Sequence, residues 1–358
     1  MKNKEKNNKS LLLNPYYYNS FSQRTKSIII LFFLCLQFVM LFLTKTYSSI
    51  IISIVCIISS LLAEFVSARI LKSYKVYILS AISKGIILSL LIPSNYPFLI
   101  VFFISFIVFL VCNYCFSGNT FSWINPVALT VVVLYILNQS YFPSFILDIN
   151  DIQTKNAALV LIENGTVPFN AHDTFITEFV NRIIFKFFGI VIPDGYFSFF
   201  WDSGSIIPAF RFNLLTIITS ISLFSLDIFD CFIPSIFILF YSVLVRFLLP
   251  VLIGSYPVYG DVLLCLLTSG TLFSSLFLLQ WYGTVPVSPV GKFIYALLAS
   301  VFAFLIMGFG TSSCGFCFLI LVMNVVSAII QYIEQLNVDY VVNKKLLLKL
   351  NSVLPNQI

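Results

Sequence analysis

The chain has 358 residues, of which 59% are apolar and only 9% charged, and its net charge is +6 at neutral pH. Soluble domains carry roughly a quarter charged residues, so water is not the main solvent here and a soluble enzyme is excluded. Lys and Arg gather near the termini, which membrane topology explains without a nucleic-acid partner.

Met1 to Lys26 is polar and basic and lacks a cleavage pattern, so the first apolar run is expected to stay uncut. A hydrocarbon core about 30 Å thick needs roughly 20 apolar residues per helix. Ten runs approach that length, at 27–43, 50–68, 77–93, 97–115, 122–138, 212–229, 232–253, 261–282, 292–309 and 314–333. Backbone in lipid must satisfy its own hydrogen bonds, so each run is expected to be helical. The expected fold is an all-α integral membrane bundle of about ten transmembrane helices. Its parts are a cytoplasmic segment (1–26), a five-helix half (27–138), an outer loop (139–211), a second five-helix half (212–333) and a cytoplasmic tail (334–358).

Cytoplasmic loops retain basic residues. With the N-terminus inside, the inner segments hold Lys2, Lys4, Lys6, Lys9, Arg24, Lys26, Arg69, Lys72, Lys75, Lys292, Lys344, Lys345 and Lys349, and the outer ones only Lys45, Lys155, Arg182, Lys186 and Arg211. Both termini are therefore expected in the cytoplasm, with 139–211 outside. An odd-numbered half repeated in tandem must be inverted. Internal similarity agrees: Ser80 to Pro97 parallels Leu267 to Pro286, and Gly118 to Val133 loosely parallels Gly310 to Val325. Within the loop, Phe175 to Phe188 places Phe175, Phe179, Ile183 and Phe187 on one face and Glu178, Arg182 and Lys186 on another, as in a helix lying in the membrane interface. Tyr340 to Leu350 forms a basic amphipathic tail, solvated or touching headgroups.

Ionisable residues inside spans are costly and are functional candidates. Glu64 and Arg69 lie near the inner end of the second run, where snorkelling is the simplest account, while Lys84 and Arg246 sit deeper and are the better candidates to face a polar interior. Eight cysteines sit mostly inside apolar runs as small hydrophobes. Cys112/Cys115 and Cys314/Cys317 have CxxC spacing, but no third or fourth ligand stands beside either pair, so no metal site is expected. The single histidine, His172, cannot ligate a haem pair and reads as a surface residue. No phosphate loop, nucleophile elbow or paired catalytic carboxylate is present, so no catalytic residue is assigned. Proline-bearing breaks at Ile92 to Pro97, Gly118 to Pro126 and Pro286 to Pro289 either turn the chain or line a cavity.

In order and spacing these segments resemble the D subunit of the Rnf-type electron-transport complex and, more distantly, the B subunit of the sodium-pumping NADH:quinone oxidoreductase. Asn14-Pro15-Tyr16 is similar to the family's "SPH" entry, Leu61-Leu62-Ala63-Glu64 to "LLxE", Lys84-Gly85 through Pro93 to "TGLLLALLLP", and Ile124-Asn125-Pro126-Val127-Ala128 to "FNPAM". Asp230 to Pro234 is similar to "WRIP", Gly260-Asp261 through Phe273 to "GGDLLFALLSGGTLF", and Asn324 to an asparagine of the last span. The resemblance implies a urea-transporter-like bundle of two inverted five-helix repeats in a bacterial inner membrane. It also implies a translocase subunit, not catalytic alone, that couples flavin-mediated electron transfer to ion movement beside other membrane and iron–sulfur subunits.

The cofactor so implied is FMN, ester-linked to a threonine within D-x-x-S-G-A-T-P-L. The matching stretch is Asp151 to Leu159, where Ala157 stands at the threonine position and Lys155 at the glycine. Alanine has no hydroxyl to esterify, and Thr154, the alternative acceptor, has flanks that do not fit the pattern. The candidate cofactor-binding residues are thus Thr154, Asp151, Asn125, Pro126 and Lys84. The family's "DGSA" reads Ile78-Leu79-Ser80-Ala81 and its "DPVTSP" reads Trp281 to Pro286, so polar groups are thinned while the scaffold pattern persists. A small-solute or cofactor transporter of the same fold, or a non-redox scaffold subunit, are the competing readings.

Overall fold

The computed structural model describes residues 21–72, 76–115, 123–142, 147–154, 156–189, 191–281, 283–308 and 312–353. The motif stretches at Asn14 to Tyr16 and Gly118 to Ser122, with Lys75, Lys155 and Tyr282, lie outside the described residues. The described residues are 74% helical, with no strand among them. The helices are α1 (Gln23–Leu43), α2 (Tyr47–Ile70), α3 (Ile78–Leu91), α4 (Phe98–Cys115) and α5 (Pro126–Leu137), then the short α6 (Ile149–Ile152), α7 (Ala157–Glu163), α8 (Asp173–Ile183) and α9 (Tyr196–Trp201). There follow α10 (Asn213–Ser225), α11 (Phe232–Val243), α12 (Leu249–Ile253), α13 (Val262–Leu267), α14 (Thr271–Phe277), α15 (Pro289–Met307) and α16 (Gly315–Val353). A π turn over Leu244–Leu248 joins α11 to α12 without a break.

Among the described residues, six helices are long and apolar enough to cross a membrane: α1, α2, α4, the joined α11–α12, α15 and Gly315–Lys344 of α16. The runs expected at 77–93, 122–138 and 212–229 form α3, α5 and α10, with 14, 12 and 13 residues. At 1.5 Å per residue these measure roughly 18–21 Å, less than the hydrocarbon thickness. The run expected as one span at 261–282 is broken into α13 and α14, which corrects the sequence reading. Gly270 takes φ +64° at the break. The hydroxyls of Thr268 and Ser269 donate to the Leu264 and Cys265 carbonyls at 2.6 Å each, and Thr271 also donates to Cys265. Helix-end carbonyls are thereby satisfied inside the bundle, where irregular backbone is tolerated. A Cβ at Gly270 would lie 2.1 Å from the Phe210 ring, so glycine also lets the 208–210 turn pack against the break. The last helix continues well past the expected end at 333, to Val353.

Helix starts follow local chemistry. Asn125 accepts the amides of Val127 and Ala128 ahead of Pro126, Asp261 caps α13 and Ser288 caps α15 ahead of Pro289. These side chains occupy amides that have no intrahelical partner. In α2, Ser49, Ser53, Cys56, Ser60, Ala63 and Ser67 are buried at spacings of three and four, forming a small-residue stripe against α3 and α4. Such stripes let membrane helices approach closely. Ser60 donates to the Ala81 carbonyl of α3 (2.9 Å), and Ser105 of α4 donates to Ser59 (2.6 Å). Large apolar side chains such as Phe32, Ile51, Phe103, Leu239 and Leu305 cover the outside, as lipid contact requires.

Candidate functional site

Glu64 is not a snorkelling residue. It is 5% exposed, and its carboxylate accepts the Asn113 amide of α4 (3.1 Å) and the Tyr77 backbone N–H (3.2 Å). The Lys84 ammonium of α3, equally buried, lies 3.8 Å from the same carboxylate. Snorkelling fails because Glu64 lies on the buried stripe face, which α3 and α4 cover. Arg69, at the end of the helix, is exposed. A buried ion pair survives only when its remaining polar atoms are also satisfied, and the Asn113 and Tyr77 donors do this for the carboxylate.

Lys84 also lines a cavity of about 50 Å³ between the two sets of helices. Ser27, Ser80, Ser83, Asn113 and Pro126 contribute from the first set, and Phe277, Gln280 and Trp281 from the segment that follows the α13–α14 break. Gln280 is anchored, because its Oε1 accepts the Asp230 N–H at 3.0 Å, but its buried Nε2 has no partner. Asp230 in turn meets Lys292 at 2.6 Å. Partial burial raises the Asp230 carboxyl, yet the Lys292 and Phe232 N–H donors outweigh it and hold the group below its ordinary value. Its contribution is therefore complete above a pH of about 4 and is lost as pH falls through the lower, native value. Melting temperature measured from pH 6 to pH 2 should lose this increment in the native protein. Asp230→Asn should lack it, and identical acid profiles would reject the assignment.

A second polar cluster ties the segment 147–211 to the bundle. Asp261 accepts the Leu264 N–H (3.1 Å), the Ala158 N–H (2.9 Å) and the Tyr196 hydroxyl (2.9 Å). Burial and the adjacent Asp261 carboxylate push the Tyr196 phenol well above its ordinary range, so it remains a donor. Gln153 donates to the Ile253 carbonyl and accepts from Ser255 through its own carbonyl. Asp173 anchors α8 by accepting from Gly195, Ser198 and Thr177. Phe175, Phe179, Ile183 and Phe187 of this amphipathic stretch are exposed.

Among the sequence candidates, Lys84 and Pro126 meet at the cavity. Asn125, beside them, caps α5 and donates to the Leu278 carbonyl (3.3 Å). With its amide oriented to satisfy both ends, Asn324 accepts the Asn125 N–H at 2.9 Å. Asp151, Thr154 and Ala157 lie instead in the segment between α5 and α10, and only Ala157 joins the apolar cluster there. The Thr154 hydroxyl is exposed and donates to the Asp151 carbonyl (2.6 Å), whereas Ala157 is buried among Leu161, Val167, Tyr196, Phe199 and Leu264. Arg246, half-buried in the π turn, donates to the Gly260 carbonyl (2.8 Å). His172 is exposed, and no group of three or more metal-binding side chains occurs among the described residues. Sequence reasoning missed Asn113 and Gln280; each is an amide interrupting an apolar run, the signal that would have found them.

Segments that carried the resemblance thus converge with two that depart from it: Glu64, Lys84 and Pro126 of the first kind and Ser80 and Trp281 of the second lie at or beside one cavity. The family model described as the NQR2, RnfD, RnfE family matches residues 12–338. No curated protein matches the chain. The chain belongs to the NQR2, RnfD, RnfE family. It is a multi-pass membrane subunit of the kind found in Rnf- and Nqr-type complexes, which are linked to electron transport and ion translocation.

Proposed function

We propose, with this membership as premise, that the chain works in an Rnf-type complex of a bacterial inner membrane, linking flavin-mediated electron transfer to ion movement without a covalent FMN of its own. Other membrane and iron–sulfur subunits would supply the electron entry that this chain lacks. The observation that carries the reading is Ala157. It stands where the resemblance places the attachment threonine, it has no hydroxyl, and its side chain is 1% exposed within an apolar cluster. The neighbouring amide, at Ala158, is held by Asp261. These residues do not fit an ester-linked flavin at position 157, and no step is assigned to one. Thr154 is exposed, but its flanks remain outside the attachment pattern.

The two-repeat plan is part of the same reading. Three packings recur in the two sets, α2 on α4 as α11 on α15, α4 on α5 as α15 on α16, and α1 on α3 as α10 on α14, whereas α2 packs on α3 far more extensively than α11 on α14. Cross-loop bonds also support ten alternating crossings with 139–211 opposite both termini. Ser94 bonds Ile206, Gln153 bonds Ile253 and Ser313 bonds Phe142, all between segments assigned outside. Lys292 pairs with Asp230, and Glu334 accepts from Val287 and Ser288, all assigned inside. In this plan the proposed divisions fall at 26, 138, 211 and 333, the last of them within the continuous helix α16.

The test is in-gel flavin fluorescence after denaturation in SDS, with the parent protein beside Ala157→Thr, both expressed with a flavin transferase. No fluorescent band is expected from the parent. A band from the unmodified chain would falsify the reading. The broken α13–α14 segment beside a cavity favours a transporter as the second reading, and solute flux into vesicles holding the purified chain alone would select it.

A further inference from the structure

We propose that the chain carries a site for one amine-bearing phospholipid, of the phosphatidylethanolamine type, in a two-part groove between the start of α5 and α16. The inference stands on the shape and charge of the groove, and not on the electron-transfer reading.

One part of the groove, of about 850 Å³, is apolar. It runs along Leu321, Val325 and Ile329, spaced one helical turn apart on α16, and is also lined by Ile124 and Leu129. Val325 and Ile329 are 63% and 57% exposed, so this part opens towards lipid. The other part, of about 560 Å³, is polar, with Thr284, Gln331, Glu334 and Gln335 in its wall. Trp123, Asn324, Ala328 and Tyr332 line both parts, which makes them one continuous groove. From Leu321 to Glu334 the helix rises roughly 20 Å, the depth of one leaflet from headgroup to midplane. An occupant with one polar end and one long apolar end fits this shape.

The helix sets the direction of that occupant. Glu334 is the first charged residue of α16 and directly follows the apolar run 314–333, so it stands at headgroup depth. Trp123 and Tyr332, both well exposed, are of the residue types that settle at this level, and their N–H and O–H groups are donors suited to phosphate and ester oxygens.

Charge selects the headgroup. Among the described residues that line the groove, Glu334 alone carries a formal charge. Its carboxylate is held in place by the Val287 N–H (3.1 Å) and by the N–H and hydroxyl of Ser288 (3.1 and 2.5 Å). Those are three bonds, where an ionised carboxylate has about four acceptor sites, so one further donor is accommodated. A lipid ammonium supplies it with a charge-assisted bond, and the neighbouring Trp123 and Tyr332 rings favour a cation as well. An anionic headgroup without an amine meets the carboxylate with no basic side chain to offset it. A quinone brings only acceptors.

The experiment follows tryptophan fluorescence of the purified, delipidated full chain in detergent as phosphatidylethanolamine with brominated acyl chains is added, since bromine quenches tryptophan on contact. Quenching should saturate, and Trp123→Phe should remove the saturable part, leaving Trp201 and Trp281. Brominated phosphatidylglycerol should need about tenfold more lipid, and Glu334→Gln should bring the two lipids level. Ala328→Phe, which fills the junction of the two parts away from the Glu334 bonds, should weaken quenching by both. Should that variant fail to fold, the headgroup comparison in the parent decides alone. Quenching without saturation, equal affinity for the two headgroups in the parent, or a saturable part that survives in Trp123→Phe overturns the inference. So does displacement of the lipid by a long-chain quinone at lower concentration, which would make the groove a quinone site. Shielding of Trp123 that grows with protein concentration would make it a contact between two copies and overturn the inference equally.

Discussion

Asp261→Ala is expected to release the segment 147–211 from the helix bundle and to cost on the order of 4 kcal/mol. Three donors converge on this carboxylate, from Ala158, Tyr196 and Leu264, and all three lie in buried surroundings. Removing a shared acceptor leaves each donor with about 1–3 kcal/mol of uncompensated desolvation, partly relieved where water can enter. The loss is cooperative, because the Tyr196 ring and Ala158 belong to one small apolar cluster with Leu264 and Leu267. Opening one contact therefore wets the others. The same carboxylate caps α13, so the helix start that leads into the Gly270 break should fray together with the loop. Asp261→Asn keeps one acceptor and should lose about half as much. Limited proteolysis of the detergent-solubilised chain gives the readout: cleavage within 147–211 should accelerate sharply in the alanine variant and modestly in the asparagine one. Equal digestion of all three proteins would show that the clamp carries no weight.

That clamp was only half legible in the sequence. Gly260-Asp261 stood out as a motif, and the Asp151 to Leu159 stretch as a departure from one, but nothing in a linear reading joined them across a hundred residues. The helices were legible where apolar length alone decides, as in α1, α2, α4 and α15. The break at Thr268 to Gly270 was not, because a hydropathy window averages over two buried hydroxyl residues and a glycine whose effect depends on satisfying local carbonyls. Lys84 was legible as an ionisable residue deep in a run. Its partner was misread, since Glu64 sits near the end of a long helix, where exposure is the ordinary expectation, and only the packing of α3 and α4 buries it. A pattern of small residues every third or fourth position in α2 was the available clue. It marked which face of the helix is covered, and Glu64 lies on that face.

The close approach recorded by that stripe leads to the second large effect, at Gly85. A Cβ there would lie 2.8 Å from the Ile57 Cα, 2.8 Å from the Ser60 hydroxyl and 2.9 Å from the Cys56 carbonyl. Two of the three are backbone atoms of a neighbouring span, which no rotamer change can move. The third belongs to the hydroxyl that bonds Ala81, one turn earlier on α3. Gly85→Val must therefore push α2 and α3 apart, break the Ser60 bond and carry Lys84, the preceding residue, away from Glu64. Overpacking alone costs about 1–3 kcal/mol, and loosening a buried ion pair adds to it. Gly85→Ala should show a smaller loss of the same kind, and Ser60→Gly in its background should return part of it by removing the displaceable contact while leaving the backbone conflict. Melting temperatures of the four proteins in one detergent decide the matter. If Gly85→Val matches the parent, the two helices are not held at this separation, and the geometry that brings Lys84 to Glu64 has to come from elsewhere in the bundle.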